Sequence, residues 1–148
     1  MAGRRQALAT KSVFVDSSVF FTAVNSPTGG SSKLFTIKNI DLMVSPLVLV
    51  ETERNVRGKL HSYQLERFFK LVALTQVIDQ KPALKLIKKA RTIIAEKDSV
   101  ILAEAKLAKC DFLVTLDKKH FLNEKVANFL KSTTAITPKD LIELVEGK

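Results

Sequence analysis

DSVILAEAKLAKCDFLVTLD, residues 98–117, passes from a helical pattern straight into an apolar run. Up to Ala108 the apolar residues recur at the spacing of a helix. From Phe112 to Leu116 they are almost continuous, as in a strand buried on both faces. Asp98 stands where a helix N-cap belongs, and Asp117 stands where the strand ends. A helix running antiparallel to the strand it feeds begins near the edge at which that strand finishes. Both acids are therefore expected at the carboxyl edge of one sheet, where ligands of open α/β sheets bind.

Outward from this segment the pattern repeats. Ser12–Val15 reads as a strand closed by Asp16, followed by a short helix over Val19–Val24. Asn25–Ser32 is rich in Gly, Pro and Ser and reads as a surface loop, with Ser31 or Ser32 capping a helix through Lys38. Leu42–Val44 is a second strand. Ser45 then supplies an N-cap and Pro46 the first turn of a helix to about Val56, with Glu51 well inside it. A helix over Ser62–Ala73, a short strand at Gln76–Ile78 and a helix over Ala83–Ala95 follow. Beyond Asp117 come a short helix over Lys125–Leu130, a last strand at Ala135–Ile136, and a terminal helix started by Thr137-Pro138. Strands alternating with helices imply βαβ units, hence an α/β fold with a parallel sheet covered on both faces.

The chain has 148 residues, the size of one domain, and its 46% hydrophobic content excludes wholesale disorder. Residues 1–11 read as a basic, flexible leader ahead of a single domain over 12–148. They carry Arg4 and Arg5, but no convincing signal-peptide cleavage site follows. No apolar run approaches the roughly 18 residues of a membrane span. The single cysteine, Cys110, cannot close an internal disulfide, so a soluble cytoplasmic protein is expected. Lys and Arg outnumber Asp and Glu by 24 to 15, and the net charge of +9 favours a polyanionic partner.

Four acids remote in sequence, Asp16, Glu51, Asp98 and Asp117, are thus placed at one sheet edge. Carboxylates brought together repel unless cations neutralise them, and hard oxygen donors suit Mg²⁺ or Mn²⁺. A pair of such ions can activate water and stabilise the leaving oxygen in phosphodiester hydrolysis. Each acid also has a plainer role open to it: Asp98 or Asp16 as a helix cap, Glu51 paired with Arg54, Asp117 in a turn. Asp111 opens the strand that Asp117 closes, about 20 Å away, and belongs to the opposite edge. Glu53 points away from Glu51 on its helix.

Residues 13–19 (VFVDSSV), 45–51 (SPLVLVE) and 98–117 together resemble the motifs of PIN domains, and the likeness runs from about Val13 to Val145. The resemblance implies a three-layer α/β/α sandwich with a mostly parallel central sheet, and Mg²⁺- or Mn²⁺-dependent cleavage of RNA. It maps the family's metal-binding acids onto Asp16, Glu51, Asp98 and Asp117, and supporting hydroxyls onto Ser17 and Thr115. Thr115 also shares a strand face with Asp117. Where the family often has Gly before its last acid, this chain has Leu116. Domains of this size are similar to the VapC toxins of VapBC toxin–antitoxin pairs, which implies an antitoxin partner and a homodimer. Arg54, Lys118 and Lys119 lie near the expected edge as contacts for RNA phosphates.

Other chemistries fit less well. A histidine-pair nuclease would need His61 and His120 together, and neither a nucleophile elbow nor a Gly-rich phosphate loop is present. A phosphatase built on Asp16 would want an acid where Ser18 stands. The remaining alternative is a catalytically inactive PIN-like RNA-binding or scaffold protein.

Overall fold

The computed structural model describes residues 10–147. Met1–Ala9 of the basic leader and Lys148 lie outside the described residues. The elements, in chain order, are β1 (Lys11–Val15), α1 (Ser17–Asn25), α2 (Gly30–Leu34), β2 (Ile40–Val44), α3 (Pro46–Lys59), α4 (Tyr63–Val72) and β3 (Gln76–Val77). They continue with α5 (Leu84–Arg91), α6 (Glu96–Ala108), β4 (Phe112–Val114), α7 (Lys118–Phe121), α8 (Glu124–Leu130), β5 (Thr134–Ile136) and α9 (Pro138–Glu146).

The strands form one sheet in the order β3-β2-β1-β4-β5, and every neighbouring pair is parallel. The sheet is thus wholly parallel. Helices α1–α4 and α9 pack with one another on one side, while α5, α6 and α8 pack together on the other. This is the α/β/α arrangement that nearly all-apolar strands require, since both sheet faces must be covered. Val13, Phe14 and Val15 of β1 and Leu113 and Val114 of β4 are accordingly buried. From β1 the chain steps to β2 and β3, then crosses to β4 and β5. The strand order therefore reverses between β1 and β4, and the crevice beyond their carboxyl ends is the place where such sheets bind ligands. Val15 is level with Val114, so Asp16 and Thr115 emerge side by side there.

Local chemistry sets several helix starts as the sequence implies. Ser45 caps α3 by accepting the Val48 N–H at 3.2 Å, ahead of Pro46. Thr137 does the same for α9, ahead of Pro138, by accepting the Asp140 N–H.

Others differ from expectation. Helix α2 is capped by Gly29 and stops at Leu34; Ser31 and Ser32 are buried, and Ser32 donates its hydroxyl to the Ala23 carbonyl at 2.9 Å. The helix expected over Ala83–Ala95 ends at Arg91. There the Thr92 hydroxyl donates to the Lys89 carbonyl at 2.7 Å, and Thr92, Ile93 and Ile94 are all β-branched. A short helix, α7, fills the stretch after Asp117.

Under α1 the core is aromatic. Phe20 is fully buried, edge-on to Phe35 at 5.3 Å and tilted against Phe68 at 5.5 Å. It joins α1 to α4 and to the end of α2. Phe20→Ala is expected to lower unfolding stability in urea by about 3–5 kcal/mol, the usual loss when a buried aromatic leaves a cavity. A loss under about 1 kcal/mol would show that the site collapses around the smaller side chain.

Candidate metal centre

Asp16 follows β1 directly and is almost fully buried. Its Oδ1 accepts the Ser17 N–H at 2.8 Å. Its Oδ2 accepts two hydroxyls, Ser18 Oγ and Thr115 Oγ1, each at 2.8 Å. Oδ2 is therefore saturated, while Oδ1 keeps one lone pair for a further partner. Thr115 Oγ1 in turn accepts the Asp117 N–H at 3.1 Å, which places the start of α7. Thr115 thus joins two of the acids. Ser17, the first residue of α1, stands near enough to Glu51 on α3 to favour its ionised form.

Asp98 departs from the expectation of a cap. Helix α6 already begins at Glu96, behind Ala95, so Asp98 lies in its first turn with the carboxyl free of capping. Among the described residues, its Oδ2 is the one buried side-chain nitrogen or oxygen without a hydrogen-bond partner. Native structures rarely tolerate such an atom unless something else occupies its lone pairs. Asp98, Asp117 and His120 each offer a donor atom within 4.8 Å of the other two. Asp117 caps α7 by accepting the His120 N–H at 3.1 Å, and its Oδ2 meets His120 Nδ1 at 2.8 Å.

The electrostatics are those of crowded carboxylates. Burial raises the Asp98 pKa above the ordinary aspartate value; Lys97 opposes the rise, and the charges of Asp16 and Asp117 add to it. Burial likewise raises Glu51, with Ser17 opposing, Asp16 and Asp98 adding, and Arg54 one turn away pulling it down. Asp98 and Asp117 thus come within ligand distance of each other and of His120, whereas Asp16 and Glu51 stand outside that group, close enough for their charges to be felt. As expected, Asp111 lies at the far edge, where its carboxylate accepts the N–H of Ser12 at the start of β1. Glu53 is turned to Arg57.

Two residues were not anticipated. Glu104 on α6 accepts the Ser45 hydroxyl at 2.7 Å, and burial raises its pKa, with Ser45 opposing and Glu51 adding. The sequence signal was present: Glu104 is flanked by the apolar residues Val100–Ala103 and by Ala105, so an acid there sits among core-facing neighbours. His120 was weighed only as half of a histidine pair. Its position three residues after Asp117, on the first turn of a helix, places the two side chains together.

A wholly parallel α/β/α sandwich with carboxylates gathered at its switch point defines a class in which hard oxygen donors are arranged for a divalent cation. Residues 13–125 match the PIN domain family, and the chain belongs to that family, whose members are generally nucleases that use divalent metal. The solved structure of PAE2754 from Pyrobaculum aerophilum is similar, with a TM-score of 0.64 at 16% identity over 97% of this chain and 100% of the other. So is VapBC2 from Rickettsia felis, solved bound to a DNA fragment from their promoter, with a TM-score of 0.66 at 18% identity over 85% and 98%. These likenesses speak for the fold. No curated protein matches. Among the described residues, no helix is long and apolar enough to cross a membrane.

A carboxyl whose pKa is higher folded than unfolded stabilises the fold only while protonated. For Asp98, Glu51 and Glu104 that contribution is complete below the unfolded values of 3.8 and 4.5 and is lost as pH rises through the folded ones. In EDTA the protein is therefore expected to resist urea better near pH 5 than near pH 7. Asp98→Asn should raise the neutral midpoint and narrow the difference. A neutral midpoint that falls in Asp98→Asn would show that the orphaned carboxylate is not a source of strain.

Proposed function

We propose that this chain is an endoribonuclease that hydrolyses RNA phosphodiester bonds with Mg²⁺ or Mn²⁺. The observation that carries the proposal is the buried, unpartnered Asp98 oxygen beside Asp117. An aspartate in that condition destabilises its own fold and makes sense as a ligand, and the donors beside it are the Asp117 carboxylate and the His120 imidazole.

In this reading Asp16, Asp98 and Asp117 would hold one cation, and Glu51 would hold a second or orient the attacking water. Bound there, the metal supplies charge stabilisation for the phosphate and acidifies water. Ser17 favours the ionised form of Glu51, and Thr115 keeps Asp16 and the Asp117 backbone in register. Water attacks phosphorus in line, the P–O3′ bond breaks, and the 3′-oxygen leaves with a proton. The products are 5′-phosphate and 3′-hydroxyl ends. Arg54, Lys118 and Lys119, all exposed, steady the RNA phosphates.

The family and the likeness to VapBC2 support a further element of the proposal. The chain is the toxin of a toxin–antitoxin pair, working in the cytoplasm as a homodimer whose cleft an antitoxin covers.

Asp16→Asn and Asp98→Asn should each lower Mn²⁺-dependent RNA cleavage by at least about 100-fold, since even outer partners of metal ligands cost up to about that much. Mn²⁺ should raise the melting temperature of the unaltered protein and leave that of Asp98→Asn unmoved, as preferential binding to the folded state demands. Full cleavage by either variant would misplace the centre. RNA binding that persists in EDTA, with no product under Mg²⁺ or Mn²⁺, would instead make the chain an inactive binding member of its family.

A further inference from the structure

We infer that the cleft between the α5–α6 turn and the α7–α8 segment is the seat of the ribonucleotide next to the scissile phosphate. The inference rests on the nuclease reading and adds to it a substrate subsite on residues distinct from the carboxylates. The cleft has a volume of about 620 Å³, and its lining includes Arg91, Ile93, Ala95, Lys119, His120 and Lys125. It is an open groove on the surface and not an enclosed cavity, as a strand passing across it requires.

Position links it to the carboxylates at two points. His120 forms part of its wall while its Nδ1 holds Asp117, and Ala95 immediately precedes the helix that carries Asp98. Charge then selects the occupant. The acids repel a phosphate until cations neutralise them, whereas this neighbouring cleft carries Arg91, Lys119 and Lys125 against the single lining acid Glu124. Arg91 also faces Glu96, at 3.7 Å, but that pair is solvent-exposed and weak enough to yield to a phosphate. Ile93 and Ile94 give the same cleft an apolar wall, which suits the flat face of a base. A cationic rim over an apolar wall, continuous with a cation-compatible centre, fits a single RNA strand threading from one to the other.

The test is binding of a short fluorescein-labelled single-stranded RNA in EDTA, followed by anisotropy across a salt series. Arg91→Ala/Lys125→Ala should weaken binding about 10-fold at low salt and reduce the slope of log affinity against log salt by about 1.4, as expected for two lost phosphate contacts at about 0.7 each. Lys38→Ala/Lys139→Ala, which removes the same charge outside the cleft, should leave the slope and affinity close to those of the unaltered protein. A Mn²⁺-induced rise in melting temperature, retained in Arg91→Ala/Lys125→Ala, checks that the fold and the centre survive. Equal losses in the two double variants, no loss in Arg91→Ala/Lys125→Ala, or equal competition by a poly-glutamate peptide would each overturn the subsite. Absence of turnover by the unaltered protein would sink the nuclease reading and with it the subsite's place beside a scissile phosphate, whereas the binding arm, read without metal, tests the cleft as an RNA seat separately.

Discussion

Across the gap between β1 and β4, Thr115 gives its hydroxyl proton to Asp16, and both side chains are out of water. The same oxygen receives the Asp117 N–H. One hydroxyl thereby sets the spacing between the ends of two strands and between two acids that would otherwise repel. Ser18 closes the arrangement from α1, donating to the same Asp16 oxygen. In a site screened from solvent these bonds weigh more than they would at the surface, and leaving any partner unmatched would be costly. The switch point of the sheet provides the opening, and the hydroxyls make it a defined set of oxygen donors.

The chain as a whole is strongly basic, yet its most crowded titratable groups are acids. The two facts belong together. Glu51, Asp98 and Glu104, which burial and neighbouring acids push toward protonation, lie on α3 and α6, while most lysines and arginines are exposed. In the proposed nuclease such a surface would draw the RNA within the screening length, and the acids would accept it only with a cation between.

Much of this was legible in the residues. Apolar runs marked β1, β2 and β4, and Ser45-Pro46 and Thr137-Pro138 announced their helices, because caps and buried strands leave local signatures. The acids at strand ends followed from the parallel-sheet rule. What escaped was set by tertiary contact. Nothing local to Asp98 distinguishes a cap from the first turn of a helix begun two residues earlier at Glu96, and the difference decides whether its oxygen is satisfied. The partnership of Glu104 with Ser45 spans 59 positions, so no window along the chain contains it. The helix expected through Ala95 stops at Arg91, where a run of β-branched residues turns the chain toward the cleft.

The central place of β1 in the sheet has a consequence for synthesis. Asp16 and Thr115 are 99 residues apart, and β1 cannot gain its second neighbour until β4 exists. At about 5–20 residues per second, the interval on the ribosome is roughly 5–20 s. Closing so long a span also costs about 4 kcal/mol in chain entropy before any contact repays it. During that time β1 has at most β2 beside it, and the carboxylates remain scattered along an unfinished polypeptide. A growing chain of this topology is chemically inert by construction, and its cluster of acids comes into being only after Asp117 has been added.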